Sequence, residues 1–249
     1  THTRSSAASD VYKRQAGTIS VSTAKDLAAT TSGTVTAKIT TTESVDSLKT
    51  LYDTSETNAY TIVITGDAAD ATLSTAAEFN AIDNATSVAI NANSVTALAS
   101  SDISDINTLL TAGNNTDKFT ETSFAGLTAV VVADTTLDVA NFVGSITQAN
   151  TATGKSTLAA GATIFNITAA NTISGGNEAN FEALVTHETN GLFDITNENL
   201  TVGNGTNQSI SVANAKNLAA KTSGTVTSAI DTTESVDSLK TLYDTSETN

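Results

Sequence analysis

The sequence predicts an α/β chain, a repetitive solenoid in which short parallel strands alternate with helices. Three observations point there. A long stretch of the chain recurs without gaps, short β-branched runs alternate with segments of helical period, and proline is absent throughout. Proline would remove a ladder hydrogen bond from a stacked strand. A right-handed parallel β-helix with Thr and Asn side chains in stacked ladders is the alternative. A doubly wound α/β domain is a more distant one.

The repeat is direct. ISVSTAKDLAATTSGTVTAKITTTESVDSLKTLYDTSETN, Ile19 to Asn58, returns as ISVANAKNLAAKTSGTVTSAIDTTESVDSLKTLYDTSETN, Ile210 to Asn249. The offset is 191 residues, 33 of 40 positions are identical, and the last 18 all match. Residues 16–206 therefore read as one solenoid module and 207–249 as the truncated start of the next, with a continuation resembling AYTIVIT expected after Asn249. Ile19, Val21, Leu27, Val35, Ile39, Val45, Leu48 and Leu51 keep their identity in the second copy, which is a packing pattern. Thr40 becomes Asp231, three residues before Glu43 and Glu234, and Thr23 becomes Asn214. Both exchanges are between cap-forming residues, and the first suggests a capping box opening a helix.

Within the module, strands are expected at TISV and VTAKI, followed by a helix in TESVDSLKTLYDTSET with Val45, Leu48, Leu51 and Tyr52 at helical spacing. YTIVIT then precedes a helix carrying Phe79 and Ile82. SVAINA precedes one carrying Ile103, Ile106, Leu109 and Leu110, with Gly113 as its C-cap. LTAVVVAD leads to Val139, Phe142, Val143 and Ile146. TIFNIT leads to NEANFEALVTHETNG, which ends at Gly191, and LFDIT leads to SISV. Strands lie 16–35 residues apart, a spacing that implies parallel pairing with helical returns. Eight or nine coils at about 4.8 Å each would extend a module by about 40 Å. Residues 113–123 and 196–208 are the least regular and are expected to be loops.

Residues 1–15 differ in kind. SSAASDVYKRQ, Ser5 to Gln15, resembles residue for residue the translation of a transposase-based sequencing adapter, so 1–15 are treated as a non-native segment and the chain as a metagenomic fragment. They hold both arginines, Arg4 and Arg14. Without them 8 basic and 25 acidic residues remain, a net charge of −17. Such a surface repels phosphate backbones and anionic headgroups, so neither nucleic acid nor a lipid surface is expected as a partner. No apolar run reaches the length of a membrane span. Cysteine is absent, which excludes disulfides and thiolate metal sites.

Residues with chemical potential read as structural. His187 fits the end of a helix, where the dipole favours it. Glu178 and Glu182 are four apart and share a helix face with Glu188 nearby, which suits solvated charges better than an acid–base pair. Tyr52 and Tyr243 occupy one repeat position and read as packing residues. VGNGTNQSI, Val202 to Ile210, and SGGNEANFE, Ser174 to Glu182, only approach a calcium-binding nonapeptide and read as turns. GNG at Gly203–Gly205 lacks the GK[ST] of a phosphate loop. The glycosylation-type triplets at Asn84, Asn166 and Asn204 are expected by chance in so Asn- and Thr-rich a chain. No catalytic, cofactor-binding or metal-ligating residue is assigned.

TSETNAYTIVITGDAADATLSTAAEFNAIDNATSVAINANSVTALASSDISDINTLLTAGNN, Thr54 to Asn115, resembles in composition and rhythm the giant acidic Thr/Ala-rich repeat proteins of the bacterial cell surface. These include the swimming-associated, adhesin and S-layer-like proteins of marine cyanobacteria. The resemblance implies a secreted structural or adhesive protein, not an enzyme, located at the bacterial cell surface. Its partners would be adjacent modules of the same chain, and cell-surface polysaccharide or other cells. A calcium-responsive extracellular binding module is the alternative, and a polysaccharide-active enzyme on a solenoid scaffold a distant one.

Overall fold

A computed structural model describes residues 14–52, 58–65, 74–151, 164–203 and 208–243. In chain order the elements are β1 (Arg14–Ile19), α1 (Val21–Ala29), β2 (Thr36–Ile39), α2 (Val45–Leu48) with a 3₁₀ turn Lys49–Leu51, β3 (Ala59–Thr61), α3 (Ala76–Asn84), β4 (Ala97–Ser101) and α4 (Ile103–Gly113). They continue with β5 (Ala129–Val132), β6 (Thr136–Asp138), α5 (Val139–Thr151), β7 (Ile164–Asn166), β8 (Thr172–Gly175) and α6 (Glu178–Thr189). The last are β9 (Asn199–Val202), β10 (Ser209–Ile210), α7 (Val212–Ala219), β11 (Val226–Thr227), β12 (Ala229–Ile230) and α8 (Val236–Tyr243). Strands and helices alternate, the sheets are parallel, and no sheet closes into a barrel among the described residues. Two compact units form, one from residues 1–99, 108–127 and 151–156, the other from 100–107, 128–150 and 157–249.

In the first unit β1, β2 and β3 pair in sequence order. Parallel bridges Asn58↔Thr86, Val63↔Asn91 and Ile90↔Phe119 carry the same succession onward. The register of β1 slips between Arg14 and Thr18, so regular pairing starts at Thr18↔Lys38. In the second unit β6, β8, β9 and β11 pair in succession, as do β5 with β7 and β10 with β12. Each pairing joins a segment to its successor along the chain, about one strand–helix unit later.

Alternate strand residues enter the core, as in β2, where Ala37 and Ile39 are buried and Thr36 and Lys38 exposed. Phe79, Phe119 and Phe124 cluster in the first unit, with Phe79 and Phe124 edge-to-face at 5.8 Å. Phe142, Phe165 and Phe193 do the same in the second. Phe124 holds φ at 60°, an unfavourable conformation for a bulky residue, while its ring joins this cluster. Its N–H donates to the Ala92 carbonyl.

Corners between strands are made by Asx turns. Asn91 Oδ1 accepts from Asn93 N–H, Asn166 Oδ1 from Thr168 N–H, and Asp194 Oδ1 from Thr196 N–H. The middle residues, Ala92, Ile167 and Ile195, are buried. A polar residue outside thus turns the chain while the apolar one stays inside.

Buried hydroxyls and amides join segments that lie about one strand–helix unit apart in the chain. Thr86 Oγ1 accepts from Tyr60 N–H at 2.9 Å and donates to Tyr60 O at 2.8 Å. Ser123 Oγ accepts from Ala92 N–H at 2.9 Å and donates to Ile90 O at 3.1 Å. Asn58 Oδ1 accepts from Val35 N–H at 2.8 Å. All three side chains are nearly inaccessible. No buried side-chain nitrogen or oxygen among the described residues lacks a partner.

Several sequence expectations need correction. A helix, α1, occupies Val21–Ala29, where none was foreseen, and its cap is Ser20, whose side chain accepts from Thr23 N–H. Thr23 is therefore the third helical residue, and its counterpart Asn214 stands equally inside α7, capped by Ser211. Thr40 does not open a helix with Glu43, because α2 starts one residue after Ser44, which caps it. Glu43 instead accepts from Val21 N–H at 2.9 Å, and Glu234 from Val212 N–H at 2.8 Å. Gly113 is the last residue of α4 and its φ is not positive. Gly191, with φ 76°, does end its helix. The expected loop at 113–123 is turns from residue 114 on, yet it buries Phe119, and the turns run on past it to the buried Phe124. The expected loop at 196–208 instead contains β9, while SVAINA forms bridges only.

Thr86→Val keeps the shape but strips Tyr60 N–H and O of their buried partner. It should cost about 1–3 kcal/mol, read as a lower urea midpoint with an unchanged slope.

Candidate functional site

The richest arrangement of polar side chains lies in the second unit, where α6 packs against α7. Asn177 caps α6 through a reciprocal pair with Asn180, and Ser211 caps α7. Gly175 and Gly176, at φ 81° and 62°, turn the chain from β8 into α6. A Cβ on Gly176 would meet Val139 Cγ1 at 2.5 Å. This is the turn-forming role expected of SGGNEANFE. The interior of VGNGTNQSI lies outside the described residues, apart from Gly203 at φ 61°.

Glu178 Oε1 accepts from Ser211 N–H at 2.9 Å and from Asn214 Nδ2 at 2.6 Å. Asn214 Nδ2 also reaches Glu182 Oε1 at 2.6 Å. One amide therefore bridges the two glutamates that the i, i+4 spacing places on one face. The Ser211 N–H, followed by Asn214, holds the Glu178 carboxyl below its usual range. Lys221 Nζ donates to Glu188 Oε2 at 2.6 Å and to Thr189 Oγ1 at 3.0 Å. Glu178, Phe181, Glu182, Ile210, Asn214 and Asn217 line an open cleft of about 260 Å³ between the helices.

Strand edges complete the seam. Thr222 Oγ1 donates to Glu198 O at 2.6 Å, and Thr225 N–H reaches Asn199 Oδ1 at 2.9 Å. A Cβ on Gly224 would stand 2.3 Å from the Glu198 carbonyl oxygen, so only glycine permits this approach. Glu198 itself is buried beside a second cleft that Asp194, Phe165 and Phe193 also line. Burial pushes its carboxyl upward. Asp194 is held low by the Thr196 hydroxyl and N–H.

The other sequence candidates divide. His187 is half-buried in the last turn of α6, and burial lowers its pKa. Tyr52 is 45% exposed and does not pack as expected, because α2 gives way to a 3₁₀ turn and Tyr52 leaves it extended. The Tyr243 side chain lies outside the described residues. Asn166 spends its oxygen on Thr168, and Asn204 lies outside the described residues. Asn84 is exposed at the end of α3, while Thr86 of its triplet is buried. No group of three His, Cys, Asp or Glu that could hold a metal occurs among the described residues. No described helix is long and apolar enough to cross a membrane.

What this arrangement does chemically is hold α7 and the residues that follow it on α6 and β9. Sequence reasoning missed the seam, although a signal was present. Of the seven differences between the copies, Asn214, Asn217 and Lys221 replace Thr23, Asp26 and Thr30, and these three face α6 or its glutamates. Comparison with protein-family models, curated proteins and solved structures finds no match.

Replacing Asn214, Asn217 and Lys221 together by Thr, Asp and Thr gives these three positions the identities they have in the first copy. The triple variant should exchange amide hydrogens faster across 212–219 and lose about 1–3 kcal/mol by urea unfolding, because Glu178 and Glu182 lose the Asn214 amide and Glu188 loses Lys221, while the Ser211 N–H still serves Glu178.

Glu198→Gln tests the buried carboxyl. A folded pKa raised above the unfolded one means that ionisation favours unfolding. Stability is full below the usual carboxyl pKa of 4.5 and falls as pH rises through the folded value. The Gln variant should melt higher than the parent at pH 7, and the difference should close below about pH 4.5.

Proposed function

We propose that this chain is a stacking segment of a large secreted bacterial surface protein, structural or adhesive in role, built as an α/β solenoid. The observation that carries the proposal is the succession of parallel pairings, each joining a segment to the next along the chain. A chain that stacks its own segments in order gains length with each unit. The 40-residue repeat at an offset of 191 extends the same logic to whole modules.

The side chains support this reading by how they are used. Glu43, Glu234 and Asp134 each accept the first N–H of a helix in the preceding coil, at 2.9, 2.8 and 2.7 Å. Lys118 pairs with Asp83, and Lys221 with Glu188. Acidic residues that would be candidates for chemistry are thus bound to backbone donors or cations between coils. The anionic surface suits a protein that stays extended and soluble outside the cell.

Chains carrying one, two and three tandem copies of residues 16–206 test the proposal by small-angle X-ray scattering. The maximum dimension should rise by a constant increment per copy. A radius of gyration growing as slowly as that of a compact globule would sink it.

A further inference from the structure

The 18-residue run TTESVDSLKTLYDTSETN occurs at 41–58 and again at 232–249, so the chain supplies its own comparison. In the first copy Val35, Ile39, Val45, Leu48 and Leu51 are 0–3% exposed. In the second Val236 is 80% and Leu239 42% exposed, while Val226, Ile230 and Leu242 are half-buried. The same residues that form core in one place form an apolar surface in the other.

The covering of the first copy is known in detail. β3 pairs with β2 in the register Thr36↔Ala59, Ala37↔Tyr60 and Lys38↔Thr61. Helix α3 packs on α2 and its 3₁₀ turn, with Phe79 and Ile82 fully buried. Glu78 on α3 takes Lys49, while its other oxygen accepts Thr75 N–H in a capping box.

We propose that Val226–Leu242 is an acceptor face for one strand–helix coil with the chemistry of Ala59–Asn84, supplied by another module of the same protein. The inference rests on the stacking reading and names its contact. The distribution of differences between the copies selects the occupant. All seven fall between residues 22 and 40, and none between 41 and 58. Four of them, at 22, 23, 26 and 30, lie in or beside the first helix, as at Asn214 and Lys221, whose partners lie on α6; the other three, Ala37 to Ser228, Lys38 to Ala229 and Thr40 to Asp231, lie on or beside the strand, where the pairing of β2 with β3 runs through backbone groups. Positions that meet the following coil in the first copy, Val45, Leu48, Lys49 and Leu51, are unchanged as Val236, Leu239, Lys240 and Leu242. An unchanged helical face, beside a strand edge that pairs through its backbone, takes the same partner. That partner offers a parallel strand to β11 and β12, apolar side chains at the Phe79 and Ile82 positions, and a carboxylate for Lys240.

The test uses the full chain with a copy of residues 59–127 joined after Asn249, followed by hydrogen–deuterium exchange. Amides of 236–243 should gain at least tenfold protection over the unextended chain. Serine at the appended counterparts of Phe79 and Ile82 should abolish the gain. Lys240→Glu should reduce it, and lysine at the appended counterpart of Glu78 should restore it. Equal protection with the serine-substituted extension, or none with either, overturns the proposal. Concentration-dependent protection of the unextended chain also overturns it, since the occupant would then be a second copy. If the coil docks but tandem arrays scatter as compact globules, the stacking function fails and the acceptor face stands. If arrays extend while 236–243 stays unprotected, the acceptor face alone fails.

Discussion

Strands of two to six residues cannot satisfy their own backbone, and this constraint shapes everything else in the chain. A parallel ladder this short leaves N–H and C=O groups unpaired at both ends and at each corner. Here side chains about one strand–helix unit away in the chain supply the missing partners. Thr86 serves Tyr60, Ser123 serves Ile90 and Ala92, Asn58 serves Val35, and Thr222 serves Glu198. Each bond contributes modestly to net stability, but leaving a buried group unpaired is expensive. The arrangement makes a coil without its neighbour a poor structure. It also accounts for the composition, because Thr, Ser and Asn are short enough to sit inside a seam and polar enough to close it.

Helix ends obey the same constraint. The first turn of an α-helix exposes backbone donors, and the chain's acids sit where those donors are. Some act within the element, as Glu78 does in the capping box of α3. Others act across the seam, as Glu43 does on Val21 and Asp134 on Ile103. A carboxylate at a helix start also gains from the dipole. A strongly acidic chain with few cations can therefore use many of its charges without pairing them to lysine.

Much of the architecture was legible from period and repetition. The strand–helix alternation, the parallel pairing, the helices around Phe79, Phe142 and Phe181, and the turn at Gly191 follow from apolar spacing and glycine. Boundaries governed by neighbours were not. The run 41–52 forms a short α-helix and a 3₁₀ turn, whereas the identical 232–243 contains a continuous helix to Tyr243. One sequence with two outcomes means that local preference alone does not set the last turn; in the first copy α3 packs on it. Helix α1 was missed because its apolar residues include alanines, with Val21 and Ala24 buried. The Thr40 capping pattern misled because Glu43 had a better use one coil away. The α6–α7 seam was beyond reach from motif reading, since its residue types are ordinary and only their juxtaposition 33 to 36 residues apart gives them meaning.

On the stacking we propose, modules face a problem of order, because similar coils could pair with the wrong neighbour. The two copies suggest how that is handled. Asp26 at the place of Asn217 would bring another carboxylate to the cleft that Glu178 and Glu182 line. Thr30 at the place of Lys221 would leave Glu188 without its cation. Like charge on one side and a missing donor on the other penalise the wrong pairing, while Asn214 and Lys221 reward the right one. The apolar positions Val21, Ala24 and Leu27 are common to both copies and carry no such information. Adhesion between coils thus comes from an invariant apolar pattern, and their order from a few polar positions on the upstream face. A chain divided this way can duplicate its core freely, provided that each new seam receives its own set of donors and acids.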